Sequence, residues 1–435
     1  MIKKHKRKAI TLKRDLGLFE AVIAGVGIIV GAGIYVLIGA AAGHAGNMVW
    51  ASFLIAGFVA FLTGLSYAEL SSIYDEDSGE YSYVEHAFGR MPAFIIGYLV
   101  MFAGVIGSAT VALGFAGYLS SIIGQTNLIV TALIAIFFLT LLNLKGIKQS
   151  MKLNAFLTIA SVLGLLLIIG LALPYFGKNN FFEYTSLKGI FKASSLIFFA
   201  YIGFDSIVQL SEETKNPRKN IPLALLISIA ISTIIYGLAA FASISVLDIS
   251  ILSSSVSPLA DVAKALLGSK AGFLLAVIAI FATLNTILLE IVAVSRMIYG
   301  MSRKYRKINF FSIVNKKTQT PNYAILLAAV LMGLFVMTGN INLIAETTNF
   351  AVFIIFATIN LALIELRYSK HRKEKFHEPF SIGKFPVLAL LGLITSLLSS
   401  NSFNSSSKSS SSKSKSLNHT FSFKNFNASS LDIKL

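Results

Sequence analysis

Apolar residues run along this chain in stretches of about 20, the length that crosses a bilayer as a helix, and short polar segments separate them. The runs predict spans at 17–43, 47–73, 92–122, 126–143, 152–173, 189–211, 221–246, 271–300, 321–338, 345–366 and 385–399. The first run is longer than the roughly 7–15 apolar residues of a signal peptide, so it is read as a span. After Leu398 the pattern stops abruptly in SSNSFNSSSKSSSSKSKS and a polar tail. Such a tract cannot bury enough apolar surface to fold, and it is expected to be disordered. Eleven spans would leave this basic tail outside against the charge rule and a twelfth would return it inside, so an altered or truncated sequence after about residue 398 is expected.

Composition agrees with the pattern. Of the 435 residues, 55% are hydrophobic and 13% charged, against about a quarter charged in a soluble domain. The fold class expected is an all-α polytopic membrane protein. The 37 Lys and Arg against 20 acids, a formal +17, do not point to nucleic acid, because they sit in short loops between apolar runs. Seven of them precede the first span, and the loops after spans 2, 4, 6, 8 and 10 carry most of the others. That bias places the amino terminus in the cytoplasm. With no cysteine and six dispersed histidines, neither a thiolate metal site nor a His-rich one is expected, and no cofactor is. No Ser-His-Asp arrangement or phosphate loop is visible, so an enzyme is not expected.

Two spans carry interruptions. Span 1 reads AGVGIIVGAGIYVLIGA, and its glycines allow the backbone to leave helical geometry near Val30 to Gly33. The alternative is close helix packing through Gly27 and Gly31; a dinucleotide fingerprint fits neither the spacing nor the context. Span 6 places Gly203 two residues before Asp205 inside an apolar stretch. An intramembrane acid is a functional candidate, unless it only caps freed amides. Breaks five spans apart are the pattern of two inverted repeats around a midplane site. Helix amino termini attract an anion and freed carbonyls an ammonium group, so an α-amino acid fits both ends.

At these residues the sequence resembles the amino acid–polyamine–organocation permease superfamily, nearest to its cationic-amino-acid-transporter-like branch. The resemblance covers about residues 12–398. It rests on GVGIIVGAGIYVL, SGEYSYVEHAFG, FFAYIGFDSIVQLSEETKNPRKNIPLAL and LNTILLEIVAVSRMIYGMSR. It implies a five-plus-five inverted-repeat core with spans 1 and 6 unwound at the substrate, plus one or two peripheral spans. The chain then divides into a basic cytoplasmic amino terminus at 1–16, a ten-helix core at 17–366, a loop with span 11 at 367–399, and the Ser/Lys-rich tail at 400–435. The amides of Ala32, Gly33 and Ile34 would hold the substrate carboxylate, and the carbonyls of Ile29, Phe199, Ala200 and Ile202 its ammonium group.

Coupling is less determined. Proton-coupled relatives carry a lysine in span 5 where this chain has Ser161, and serine cannot titrate. Asp205 and Glu290 are then the acids left to carry a proton, unless Glu290 only pairs with a polar neighbour such as Asn285. Glu69 is expected to reach interfacial water. The charges of Glu212, Glu213, Lys215, Arg218 and Lys219 are read as a solvated turn in preference to a gating salt bridge. The function expected is a secondary transporter moving amino acids across the cell membrane by alternating access, coupled to H+ or Na+. An exchanger and a polyamine transporter are the alternatives. From other classes, an amino-acid sensor or an inorganic-ion cotransporter on the same fold stands against it.

Overall fold

The computed structural model describes residues 13–368, apart from 76–77, 125, 256 and 339–340, together with 390–392. Nearly all of them are helical, and no β-strand occurs among the described residues beyond one isolated bridge between Leu16 and Thr214. In order the helices are α1 (Leu18–Ile29), α2 (Ala32–Ala45), α3 (Val49–Ile73), α4 (Gly79–Phe88), α5 (Arg90–Ile123), α6 (Leu128–Leu144) and α7 (Ile147–Ala172). They continue as α8 (Leu187–Ile197), α9 (Pro217–Val246), α10 (Ile249–Ser254), α11 (Pro258–Leu267), α12 (Ser269–Lys304), α13 (Asn322–Val336) and α14 (Ile341–Tyr368).

Among the described residues, eight helical stretches are long and apolar enough to cross a membrane, and α6 and α13 are shorter apolar helices. The ten expected spans from 17 to 366 therefore each have a counterpart. Span 1 is α1 with α2, and span 6 is α8 continued by 3-10 turns at Phe198–Tyr201 and Phe204–Glu213. The eleventh span, apart from residues 390–392, and the Ser/Lys-rich tail lie outside the described residues. Helix starts follow local chemistry. Asn127 caps α6 by accepting from the Ile129 and Val130 amides at 3.1 and 3.2 Å. Pro217 opens α9, where a missing amide costs no hydrogen bond.

The most extensive helix contacts join α3 to α9 and α5 to α12, which are spans 2 with 7 and 3 with 8. Both pairings join spans five apart, as helices beside the axis of an inverted five-plus-five repeat do. The outside of the bundle shows Phe137, Phe138, Phe156, Leu163, Leu166 and Leu167, all well exposed. On a water-soluble surface a belt of this kind would be an aggregation site; against lipid tails it costs nothing.

Candidate functional site

The chain leaves helical geometry where the glycines allow it. α1 stops at Ile29, Val30 turns away with φ −76° and ψ 58°, and α2 restarts from Gly31 without a side-chain cap. The first amides of a helix have no acceptor within it, so Ala32, Gly33 and Ile34 present N–H groups at the start of α2. In span 6 the break falls at Ile202 and Gly203, the latter at φ 111°, a left-handed conformation that strains any residue with a Cβ.

The two breaks face one cleft with about 860 Å³ of empty space, its open mouth included. Of the expected substrate-binding residues, Ile29, Gly33, Phe199, Ala200 and Ile202 line it. Ala32 begins α2, and Ile34 is fully buried and not on the cleft wall. A Cβ on Gly33 would stand 2.7 Å from Ala200 Cα, so glycine is demanded there by the approach of spans 1 and 6 to each other.

The carbonyls expected to hold an ammonium group are already partly engaged. The Tyr236 hydroxyl, on α9, lies 2.5 Å from Ile29 O and 3.2 Å from Ala200 O. One buried donor thus bridges both breaks and marks a point on which two carbonyls converge. Phe199 O accepts from the Ile202 amide at 3.2 Å. Sequence reading passed over Tyr236 because an aromatic in an apolar helix looks like core.

The intramembrane acids sit beside the span 6 break. Asp205 Oδ1 accepts from the Gly203 amide at 3.1 Å, which is the capping role weighed above. Glu290 does not pair with Asn285; its nearest polar contact is the Ser206 hydroxyl, 3.5 Å from Oε1. Both acids, with Ser206 and Gln209, line the cleft, and neither forms an ion pair among the described residues. Asn285 instead donates to Thr158 Oγ1 at 2.7 Å, and Thr158 donates to Asn154 Oδ1 at 3.1 Å. This cluster packs on Gly27 of α1. Ser161, one turn further along α7, is buried and donates its hydroxyl proton to Leu157 O at 2.8 Å.

Charged groups close the end of the bundle at which the chain begins; Lys215, Arg218 and Lys219 are exposed as expected of a solvated turn, and the expectation is corrected for Glu212 and Glu213. Arg296 of α12 donates twice to Glu213, both at 2.8 Å, with the two side chains almost wholly buried. Glu212 takes Arg303 at 2.5 Å. The Leu16 amide donates to Glu213 O at 3.0 Å and the Lys215 amide to Leu16 O at 2.7 Å, tying the entry of span 1 to the exit of span 6. Glu69 does not reach water either; it is buried and paired with Arg367.

Breaks in spans 1 and 6, the pairing of spans five apart and a cleft between the two breaks define a polytopic permease of the inverted-repeat class. The sequence model of one family, described as amino acid permease, matches residues 16–418. The chain belongs to this family, within the amino acid–polyamine–organocation superfamily and its cationic-amino-acid-transporter-like branch. It is 26% identical over 411 residues to the branched-chain amino acid permease BcaP of Bacillus subtilis (strain 168), covering 89% of this chain and 88% of that one. It is 28% identical over 404 residues to the methylthioribose transporter of the same organism, covering 86% of each. Mouse cationic amino acid transporter 4 is 29% identical over 394 residues, which are 83% of this chain and 61% of that one.

Proposed function

We propose that this permease carries an α-amino acid across the cell membrane by alternating access, with the substrate held between the two breaks. The observation that carries the reading is the opposed polarity on one cleft. First-turn amides of α2 stand on one side, and the Ile29 and Ala200 carbonyls converge on the Tyr236 hydroxyl on the other. Ala32, Gly33 and Ile34 then take the carboxylate, and Ile29, Phe199, Ala200 and Ile202 the ammonium group. The relatives named for branched-chain and cationic amino acids support an amino-acid substrate. The amino terminus lies in the cytoplasm by the bias of Lys and Arg, so the charged end described above is the cytoplasmic one. Coupling to a cation runs through the acids of the cleft, Asp205 first, since Ser161 cannot titrate. The core of this machine is residues 17–366.

A thermal-shift screen of the purified protein against the common amino acids, polyamines and methylthioribose tests the reading, because a ligand of the folded state raises its apparent stability. Stabilisation by free amino acids and its loss on N-acetylation or esterification is expected. Equal competition by polyamines, which lack a carboxylate, would remove the two-ended site. Stabilisation by methylthioribose alone would replace the substrate class.

A further inference from the structure

Glu80, on α4 between spans 2 and 3, is wholly buried. Its Oε2 accepts from Gln209 Nε2 at 2.6 Å, and Gln209 is part of the cleft wall. Glu80 therefore lies one side chain behind the cleft, on the far side of the 3-10 helix that also carries Asp205. Its Oε1 is buried with no hydrogen-bond partner among the described residues, and so is the hydroxyl of Tyr67, a residue of α3 that faces it.

Among the described residues no cation is paired with this carboxyl. Asp205 and Tyr67 are the titratable groups that face it. α5 and α14 pack on α4 as well, but their basic groups are turned elsewhere: Arg90 lies against Glu85, and Arg367 is paired with Glu69. On α12, Arg296 is bound to Glu213. A buried carboxylate without a counter-ion is costly, and a second acid nearby adds to the cost. The group avoids both by keeping its proton. Burial first, and the charge of Asp205 second, push the Glu80 carboxyl above the ordinary carboxylate range. With the proton on Oε1, the unpartnered oxygen becomes a donor aimed at the unpartnered phenol, and two buried polar atoms are satisfied together.

We propose that Glu80 is a proton-binding residue of this permease, holding one proton behind the cleft wall and exchanging it with water when the end of the bundle beside α4 opens. The step is a proton transfer alone: the Oε1–H bond breaks, water takes H+, and a carboxylate remains that Gln209 still contacts. The exchange during turnover rests on the transport reading above; the bound proton does not. Glu80 thus joins Asp205 and Glu290 as a third carrier, with Gln209 standing between it and the cleft that those two acids line.

Infrared difference spectroscopy of the purified protein at neutral pH reads protonated carboxyls directly. Glu80→Gln should remove one protonated-carboxyl C=O band that Glu290→Gln and Asp205→Asn leave in place. An unchanged spectrum in Glu80→Gln overturns the proposal. If that variant does not fold, Tyr67→Phe should shift the same band by removing its hydrogen-bond partner, and no shift overturns it. In proteoliposomes, Glu80→Gln should flatten the pH dependence of uptake at least fivefold; a profile like that of the parent overturns the exchange step. A lost band in a parent protein that moves no amino acid would uphold the bound proton and sink the transport reading instead.

Discussion

Tyr236 shows how much a single hydroxyl does at this site. It serves the Ile29 and Ala200 carbonyls together, so Tyr236→Phe leaves buried acceptors without their donor, at a cost of about 1–3 kcal/mol. In the proposed site a substrate ammonium group would bring the missing donors. The variant is therefore expected to melt lower than the parent when empty, and to gain more stability than the parent from a saturating amino acid. Thermal unfolding with and without ligand measures both. An equal ligand-induced gain in the two proteins would show that the ammonium group goes elsewhere. None of this was legible in the sequence, where Tyr236 and Glu80 differ in no visible way from structural residues. Glu80 stood inside a recognisable motif, but its significance lies in burial beside Gln209 and Asp205, which are remote in the chain.

At the scale of the element, both interruptions were legible, because glycine inside an apolar run has few other uses and Asp205 is conspicuous in one. What the runs could not give is the reason for each glycine. Gly33 illustrates this: a side chain there meets Ala200, so loss of binding on substitution would not by itself report on a ligand. Melting and binding measured together separate the causes. Gly33→Ala should lower the melting temperature and binding together, and adding Ala200→Gly should not rescue it, because the new Cβ still meets the Ala200 Cα. A Gly33→Ala protein that melts like the parent yet binds no amino acid would show that the ligand, and not helix packing, needs the bare backbone. Burial of the Glu213–Arg296 pair was equally hidden, since 83 residues separate the partners. Arg296→Met should cost about 3–5 kcal/mol by leaving Glu213 buried and alone, whereas Arg296→Met with Glu213→Leu should recover much of it. Denaturation in detergent compares the three proteins.

For the whole molecule, the ion pairs and the Leu16–Thr214 bridge share one end of the bundle and hold spans 1, 6 and 8 together there. Under the alternating access proposed above that end has to open, and these contacts would break once in every cycle. Their strength therefore sets a population, and weakening them shifts it. The chain contains no cysteine, which makes single introduced thiols clean reporters. Ala293 lines the cleft and is almost buried in the present arrangement, while Val111 lines it from the opposite half of span 3 and is partly accessible. A membrane-impermeant maleimide applied from the side of the chain start should label Ala293→Cys slowly. Adding Glu213→Gln, which removes the charge that Arg296 holds, should speed that labelling by about tenfold, the effect of a shift of 1.4 kcal/mol in the equilibrium. Labelling of Val111→Cys from the other side should slow as the closed population falls. Rates that stay put at both positions would mean that the buried pair holds the fold together without controlling which side is open, and the gate would then have to be sought in the contacts between α2 and the start of span 6.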